Sequence, residues 1–418
     1  MRIPRALQTM GIGIAITLLW GPPPSHGADP ATVEVDGRGV AIVSADGQYA
    51  LRLRGYAQFD GRFFAKGTDN LPAPNAFLIR RLQPIVEYSA GSWVMLRVMP
   101  EFGDGKSQLE DGYMDLRFGK AGRIRAGRFK VPLSAERMQS ASALHLIERS
   151  LVSNLTPNRD IGVLWTGDAG LISYDLGLFN GAADGASLYH DADSDKEILG
   201  RIILHPWQDR GPAFLKGLAV GVGGTTGRTQ GAANLPSYRT SGQLKFFSYR
   251  AATETASGAV ADGARRRLAP QISLYGGRAG GQAEFVISEQ EVRIGDLTER
   301  LQHQAWQVSL SVMLTRDART YRGVNPHHPF SRATGAMGAL ELVGRLAHIQ
   351  LDDDAFPAFA DPENAARRAF SMSGGVRWHL DANVTVAMGY EETRFDGGGG
   401  AGDRDTERLL WQRLQVSL

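Results

Sequence analysis

Arginine is the residue type with the most chemistry to offer in this chain, and its spacing is regular. Arg52, Arg54 and Arg62 share one parity in a run of alternating residues, and Arg97, Arg117 and Arg125 do so in later runs. Arg80 and Arg81 are adjacent, and Arg128 and Lys130 close the segment Gly127-Arg128-Phe129-Lys130. A guanidinium stays charged and presents a planar fork of donors, so a row of them can replace the hydration shell of a passing anion. The alternative is plain neutralisation, with these arginines paired to Asp60, Glu87, Glu101, Asp111 and Asp115 in a water-filled lumen. Strict alternation cannot point both Arg80 and Arg81 inward. Either one side chain snorkels at a rim or a bulge redirects it.

Other motifs lead nowhere. The stretch Gly221-Val222-Gly223-Gly224-Thr225-Thr226-Gly227 lacks the Lys-Ser/Thr ending of a phosphate loop and reads as a strand. Asp191, Asp193, Asp195 and Glu197 begin like a calcium loop, but the sixth place holds Lys196 and the twelfth Ile202. No HExxH or GxSxG occurs, His327-His328 lies between prolines, and there is no cysteine, so no metal, cofactor or catalytic residue is assigned.

The elements that must carry the arginines are long strands. From Leu51 to Phe63, Leu51, Leu53, Gly55, Ala57, Phe59, Gly61 and Phe63 alternate with Arg52, Arg54, Tyr56, Gln58, Asp60 and Arg62. That run exceeds the soluble-strand norm of about 5–6 residues and suits the roughly 9–11 needed to cross a bilayer, one face to lipid and one to lumen. The pattern recurs to the last residue, as in Trp306, Val308, Leu310 and Val312 against Gln307, Ser309 and Ser311. Short turns at 90–91, 119–122, 168–170, 278–281 and 381–383 alternate with longer connections at 65–76, 103–108, 131–158, 181–195, 227–264, 294–300, 352–368 and 397–405. With 206–214 and 316–334 taken as overlong periplasmic turns and Lys245–Tyr249 kept in a loop, the fold class is all-β. It is a transmembrane, antiparallel, up-and-down barrel of sixteen strands. Only a closed barrel of strands pairs every backbone group in lipid. Trp93, Trp165, Trp207 and Trp378 near strand ends fit an interfacial girdle.

Residues 1–28 read as a secretory signal: basic Arg2 and Arg5, an apolar Met10–Trp20 run, three prolines, then small residues up to cleavage after Gly27 or Ala28. Residues 29–48 form a short periplasmic segment and 49–418 the barrel. Without the signal the chain carries 44 basic and 44 acidic residues, so any anion preference comes from where charges sit.

Alternation stops between Val131 and Asn158. From Ser134 the spacing turns helical through Met138, Ala141, Leu144 (or His145), Ile147 and Leu151. So long an ordered insertion is read as functional: the third external loop, folded into the mouth, with Ser134, Arg137, His145, Glu148 and Arg149 as its constriction residues. On this reading the loop sets the width, while the wall from Arg52 to Arg125, with Arg80, Arg81, Arg97, Arg128 and Lys130, sets the sign.

FLIRRLQPIVEYSAG, DGYMDL, GRFKVPLSAERM, LIERS, NRDIGV, GALELVGRLAHIQL and the closing RLQVSL, in this order, resemble the phosphate-selective porin O and P family over most of 40–418. The resemblance implies a sixteen-stranded outer-membrane barrel, usually trimeric, constricted by its third loop. The chain departs from the family at Tyr56, where selective members carry arginine, in the thin basic content of 228–250, and in its final Leu418. The expected function is a passive, non-enzymatic outer-membrane pore for small anions, phosphate or polyphosphate above all. The expected partners are a homotrimer, membrane lipid and lipopolysaccharide, with no nucleic acid. A weakly selective porin, or a barrel hydrolase or structural barrel, is the alternative.

Overall fold

In the computed structural model the described residues are 30–418 except 38, 66–74, 192, 233–234 and 401; the signal segment lies outside them. Sixteen strands form the wall. They are β1 (Tyr49–Phe64), β2 (Ala76–Ala90), β3 (Val94–Glu101), β4 (Gln108–Arg117), β5 (Arg123–Lys130), β6 (Arg159–Ala169), β7 (Ile172–Phe179) and β8 (Glu197–Leu204). There follow β9 (Ala219–Ala232), β10 (Val260–Gly276), β11 (Ala279–Ile294), β12 (Leu297–Met313), β13 (Ala339–Gln350), β14 (Ala366–His379), β15 (Val384–Gly397) and β16 (Glu407–Ser417). Each pairs antiparallel with the next, and β16 returns to β1 from Leu409↔Phe64 to Ser417↔Tyr56.

The period-two pattern explains the wall. Leu51, Leu53 and Phe59 are exposed on the outer face, while Gln58 and Asp60 are fully buried on the inner one. Trp93 and Trp165 are exposed near strand ends. The seam is completed by the segment before the barrel. Thr32–Asp36 and Gly39–Val43 form a hairpin whose second strand pairs with β1 from Val40↔Leu53 to Val43↔Ala50. It takes up the part of the β1 edge that β16 does not reach, and Leu418 exchanges both backbone bonds with Gly55 between them. The β1 edge is thereby covered along both stretches.

Three connections differ from the sequence expectation. Residues 294–300 are not a long loop: β11 and β12 run on and turn through Gly295 and Asp296 alone, with Gly295 at φ +57. Lys245–Ser248 is a strand, paired with Ser237–Arg239 as a ribbon within the connection from β9 to β10. Its Phe246 and Phe247 are buried with Tyr238 against Leu151, Val152 and Leu155, and against the inward residues Val286, Ala305 and Ala347 of β11–β13. Those inward positions are small and apolar because they face protein. At the opposite end, the overlong 314–338 turn carries a second ribbon, Arg319–Thr320 with Gly323–Val324. Arg319 is fully buried there, 3.3 Å from Glu341 and donating to the Ala143 carbonyl at 2.5 Å.

Candidate functional site in the barrel lumen

The adjacent arginines are resolved by a bulge. The β1–β2 register slips between Gln58↔Arg81 and Phe59↔Ile79, so Arg80 is the extra residue and both side chains face the same way. Gly103 accommodates the bulge: a Cβ there would lie 2.7 Å from the Arg81 Cα and 2.8 Å from the Arg80 carbonyl. Both forks close on one carboxylate, Glu148. Arg80 Nε donates at 3.0 Å, and Arg81 donates through Nη1 and Nη2 at 2.9 Å each. A third guanidinium, Arg413 on β16, donates from Nη2 at 2.9 Å while Nε and Nη2 hold Asp60 at 2.6 and 2.7 Å.

Much of the expected arginine row is neutralised. Arg54 and Arg97 share Glu87, Arg97 also lies 3.2 Å from Asp111, and Arg125 forks onto Asp115 at 2.7 and 2.9 Å. Arg52 pairs with Asp36 of the leading hairpin at 3.2 Å, and Arg62 stacks over Trp411. Arg128 is held by the carbonyls of Leu109, Glu110 and Leu188 and lies over the Tyr189 ring. Of the carboxylates, Glu101 binds the Leu82 and Gly103 amides and Gln83, and no arginine among the described residues.

The 131–158 segment is tied to side chains all round the wall. Its carbonyls at Leu133, Ala141, Ser142, Ile147 and Glu148 accept from Gln271, Gln58, Gln415, Arg413 and Arg345. These donors come from β10, β1, β16 and β13, so the segment spans the bore. His145 bonds Ser309 at 3.0 Å and Tyr275 at 3.3 Å. Helix is confined to Ala135–Met138, capped by Ser134, with a 3-10 turn at Leu151–Leu155. The expected longer helix is absent because the apolar residues pack outward in several directions instead of along one face.

Both acids of the segment are engaged. Glu148 has the three guanidiniums. Glu136 accepts from the Ser150 amide at 3.0 Å and its hydroxyl at 2.7 Å and lies 3.3 Å from Arg345. Burial alone would raise the Glu148 carboxyl, but Arg80, Arg81 and Arg413 together hold it well below the usual carboxylate range.

Besides Arg62 and Arg128, three cations at or beside the loop have no acid among the described residues. Among the described residues, no carboxylate is within ion-pair distance of Lys130, Arg137 or Arg149. Lys130 donates to the Gln139 carbonyl at 2.8 Å, and Arg149 to Gln139 and Glu136 carbonyls at 2.7 and 3.3 Å. Arg137 reaches Ser153 and Thr156 carbonyls, the Thr156 hydroxyl and Asn158. Burial, then the charge of Arg149, push Arg137 down to about 9. Arg137 and Arg149 line a polar cavity of about 740 Å³ together with Arg80, Arg81, Arg159 and Lys106. Arg159 itself is bound by Glu110 and Asp111.

Sequence reasoning named Arg80, Arg81, Arg137, Glu148 and Arg149, which meet here, and placed the remaining arginines correctly on strands. It placed Arg159 at the far end of the loop but gave Arg413 and Arg345 no role at the site, although both occupy inward parity on β16 and β13. It also missed Gly223, where a Cβ would meet the Leu133 carbonyl at 2.4 Å. The glycine-rich run is a strand, and this glycine lets the loop backbone lie on the wall.

The model of the family described as phosphate-selective porin O and P matches residues 64–417. The chain belongs to that family. It is accordingly an outer-membrane porin, and the resemblance in its strand motifs is borne out over most of its length. Solved barrels share the fold at low identity. The outer-membrane channel DcaP of Acinetobacter baumannii superposes with a TM-score of 0.57 at 10% identity, covering 90% of this porin and 99% of that chain. OmpT, an outer-membrane protein of Vibrio cholerae, gives 0.55 at 10% over 89% and 98%. An anion-selective porin from Comamonas acidovorans gives 0.52 at 11% over 88% and 100%. No curated relative matched the porin.

Proposed function

We propose that this porin is a passive, anion-preferring diffusion channel in which the 131–158 loop forms the constriction, Arg137 and Arg149 form the anion site and Lys130 adds charge from outside the cavity lining. The observation that carries this reading is the absence of any carboxylate partner for those three cations among the described residues, at a point where both acids of the loop are already held by arginines. An anion entering the cavity replaces carbonyl partners with a counter-charge, and forked donors suit phosphate or a short polyphosphate. No step of bond chemistry is involved. The assembly is a homotrimer, as the solved Vibrio cholerae OmpT described as a trimer form suggests by its shared fold.

A weakly selective porin is the second reading, and the neutralised pairs Arg54–Glu87, Arg97–Asp111 and Arg125–Asp115 favour it, since most of the wall offers no net charge. Planar-bilayer recordings separate the two. Reversal potentials in a chloride gradient are expected to show anion preference, and phosphate is expected to reduce the chloride current at sub-saturating concentrations. Cation preference, or a chloride current indifferent to phosphate, overturns the anion reading.

A further inference from the structure

The single helical turn of the constriction loop ends on carbonyls that it cannot use itself. Ala135–Met138 is one turn long, and Gln139 follows it with its amide on the Ala135 carbonyl at 3.1 Å. Cations take the carbonyls that remain. Arg149 donates to Glu136 at 3.3 Å and Lys130 to Met138 at 3.5 Å, and both converge on the Gln139 oxygen, at 2.7 and 2.8 Å. One neutral oxygen thus seats two cations that have no carboxylate among the described residues.

Gln139 is fully buried, and its side chain is turned away from those cations to the 314–338 connection. Its Nε2 donates to the Tyr321 carbonyl at 2.9 Å, while the Tyr321 hydroxyl donates to the Ala135 carbonyl at 2.7 Å. Tyr321 so grips both ends of the turn. It stands at the tip of the ribbon Arg319–Thr320 and Gly323–Val324, its ring edge-on to Tyr275 of β10 at 5.9 Å. Arg319 of the same ribbon reaches Ala143 further along the loop. Glu284 of β11 fixes the start of the turn through the Ala135 amide at 3.0 Å. The donors of β1, β10, β13 and β16 bind carbonyls at Leu133 and from Ala141 onward, so they leave the Gln139 end to Tyr321.

We propose that Gln139 and Tyr321 are positioning residues for the anion site: they hold the Gln139 carbonyl as a stand-in acceptor that keeps Lys130 and Arg149 converged until a phosphate-type anion takes their donors. This rests on the anion-channel reading and adds the group that the anion displaces. A neutral carbonyl is a weaker acceptor than a phosphate oxygen, so the exchange favours the anion, whereas a carboxylate in the same place would quench both charges. Fixing that oxygen also settles the order of two long, like-charged side chains before the anion arrives, a cost that binding then does not meet.

The test uses the full-length porin in planar bilayers with inorganic phosphate as the blocking anion. Tyr321→Phe keeps the ring against Tyr275 and removes the donor; Gln139→Leu removes the side-chain donor to Tyr321. Each is expected to raise the phosphate concentration for half-block by about fivefold. Neither removes a charge, so the chloride reversal potential is expected to move far less than in Arg149→Gln. In a background of Lys130→Gln with Arg149→Gln, Tyr321→Phe is expected to add little, because the side chains it positions are gone. Retained resistance to unfolding in detergent shows that the variants have folded. Unchanged half-block in both folded single variants, or an effect of Tyr321→Phe that persists in full in that background, overturns the proposal. A wild type indifferent to phosphate sinks the anion reading instead. The crystal structure of Gln139→Leu then decides the positioning role: Lys130 and Arg149 are expected to part, and their continued convergence on that carbonyl overturns it.

Discussion

Glu148 and Arg413 lie 2.9 Å apart although 265 residues separate them in the chain. One belongs to the loop across the bore, the other to the last strand. Arg413 also holds Asp60 directly across the β16–β1 pair, so one guanidinium joins the barrel's seam to the loop. Arg80 and Arg81 complete the grip. Charge-assisted forks are the strong class of hydrogen bond, and removing the acid leaves Arg81 with no carboxylate, Arg80 with Asp104 alone at 4.0 Å and Arg413 with Asp60 alone.

Replacing Glu148 with glutamine is therefore expected to loosen the loop without opening the wall. Single-channel records of Glu148→Gln should show open-state noise several times that of wild type and a shift toward anions, while the barrel still resists unfolding in detergent. A quiet channel with unchanged reversal potential would show that the loop is fixed by its other contacts.

The bulge fixes the ranking of two neighbours. Regular alternation would make Arg81→Glu far more harmful to anion selectivity than Arg80→Glu, because only Arg81 would face inward. With both forks on Glu148, the two reversals are expected to shift the reversal potential to a similar extent. A large gap between them would argue that Arg80 does not reach the carboxylate.

Cations of equal formal charge should differ in effect. Arg137→Gln or Arg149→Gln removes a guanidinium that has no acid, and each is expected to raise the phosphate concentration for half-block by about tenfold. Arg125→Gln removes one already neutralised by Asp115 and is expected to leave the block nearly unchanged. Equal effects from all three would make the lumen a diffuse field.

The response to acid follows from Glu148. Its carboxyl is held well below the usual range, so the anchorage it supplies is complete above the ordinary carboxylate value and fails only as pH falls through the depressed one. His145, pushed down to about 3 by burial and then by Arg319, adds no charge on the way. Open-channel noise is expected to stay flat from pH 8 to about 5 and rise only in stronger acid. A transition near neutrality would place control with another group.

Backbone fit is testable at Gly223. Gly223→Val puts carbon against the Leu133 carbonyl and is expected to push the loop off β9, raising conductance and lowering selectivity. Gly200→Ala, where an added Cβ meets nothing within 4 Å, should behave as wild type.

The wall was legible because lipid on one side and water on the other imprint a period of two on every strand. The interruption at Val131 was legible for the same reason. Partners were harder to read. Whether Arg81 or Arg137 keeps a free charge depends on Glu148 and Glu136 folding back onto Arg413 and Arg345, pairings 265 and 209 residues apart. Nothing local in Leu144–Leu151 shows which wall each apolar residue meets, so helical spacing arose without a helix. The ribbon at Lys245 was hidden for a related reason: Phe246 and Phe247 are adjacent, which in a wall strand would put one toward water, but in a ribbon lying on a loop both are covered.

Because Arg413 reaches the loop from the strand that closes the ring, the 131–158 loop is fastened in part by the last strand of the barrel domain. During insertion, a ring still open between its first and last strands has no complete mooring for Glu148. Sealing the wall therefore completes the grip on Glu148, while the contacts from β2, β10 and β13 to the same loop do not depend on that seam.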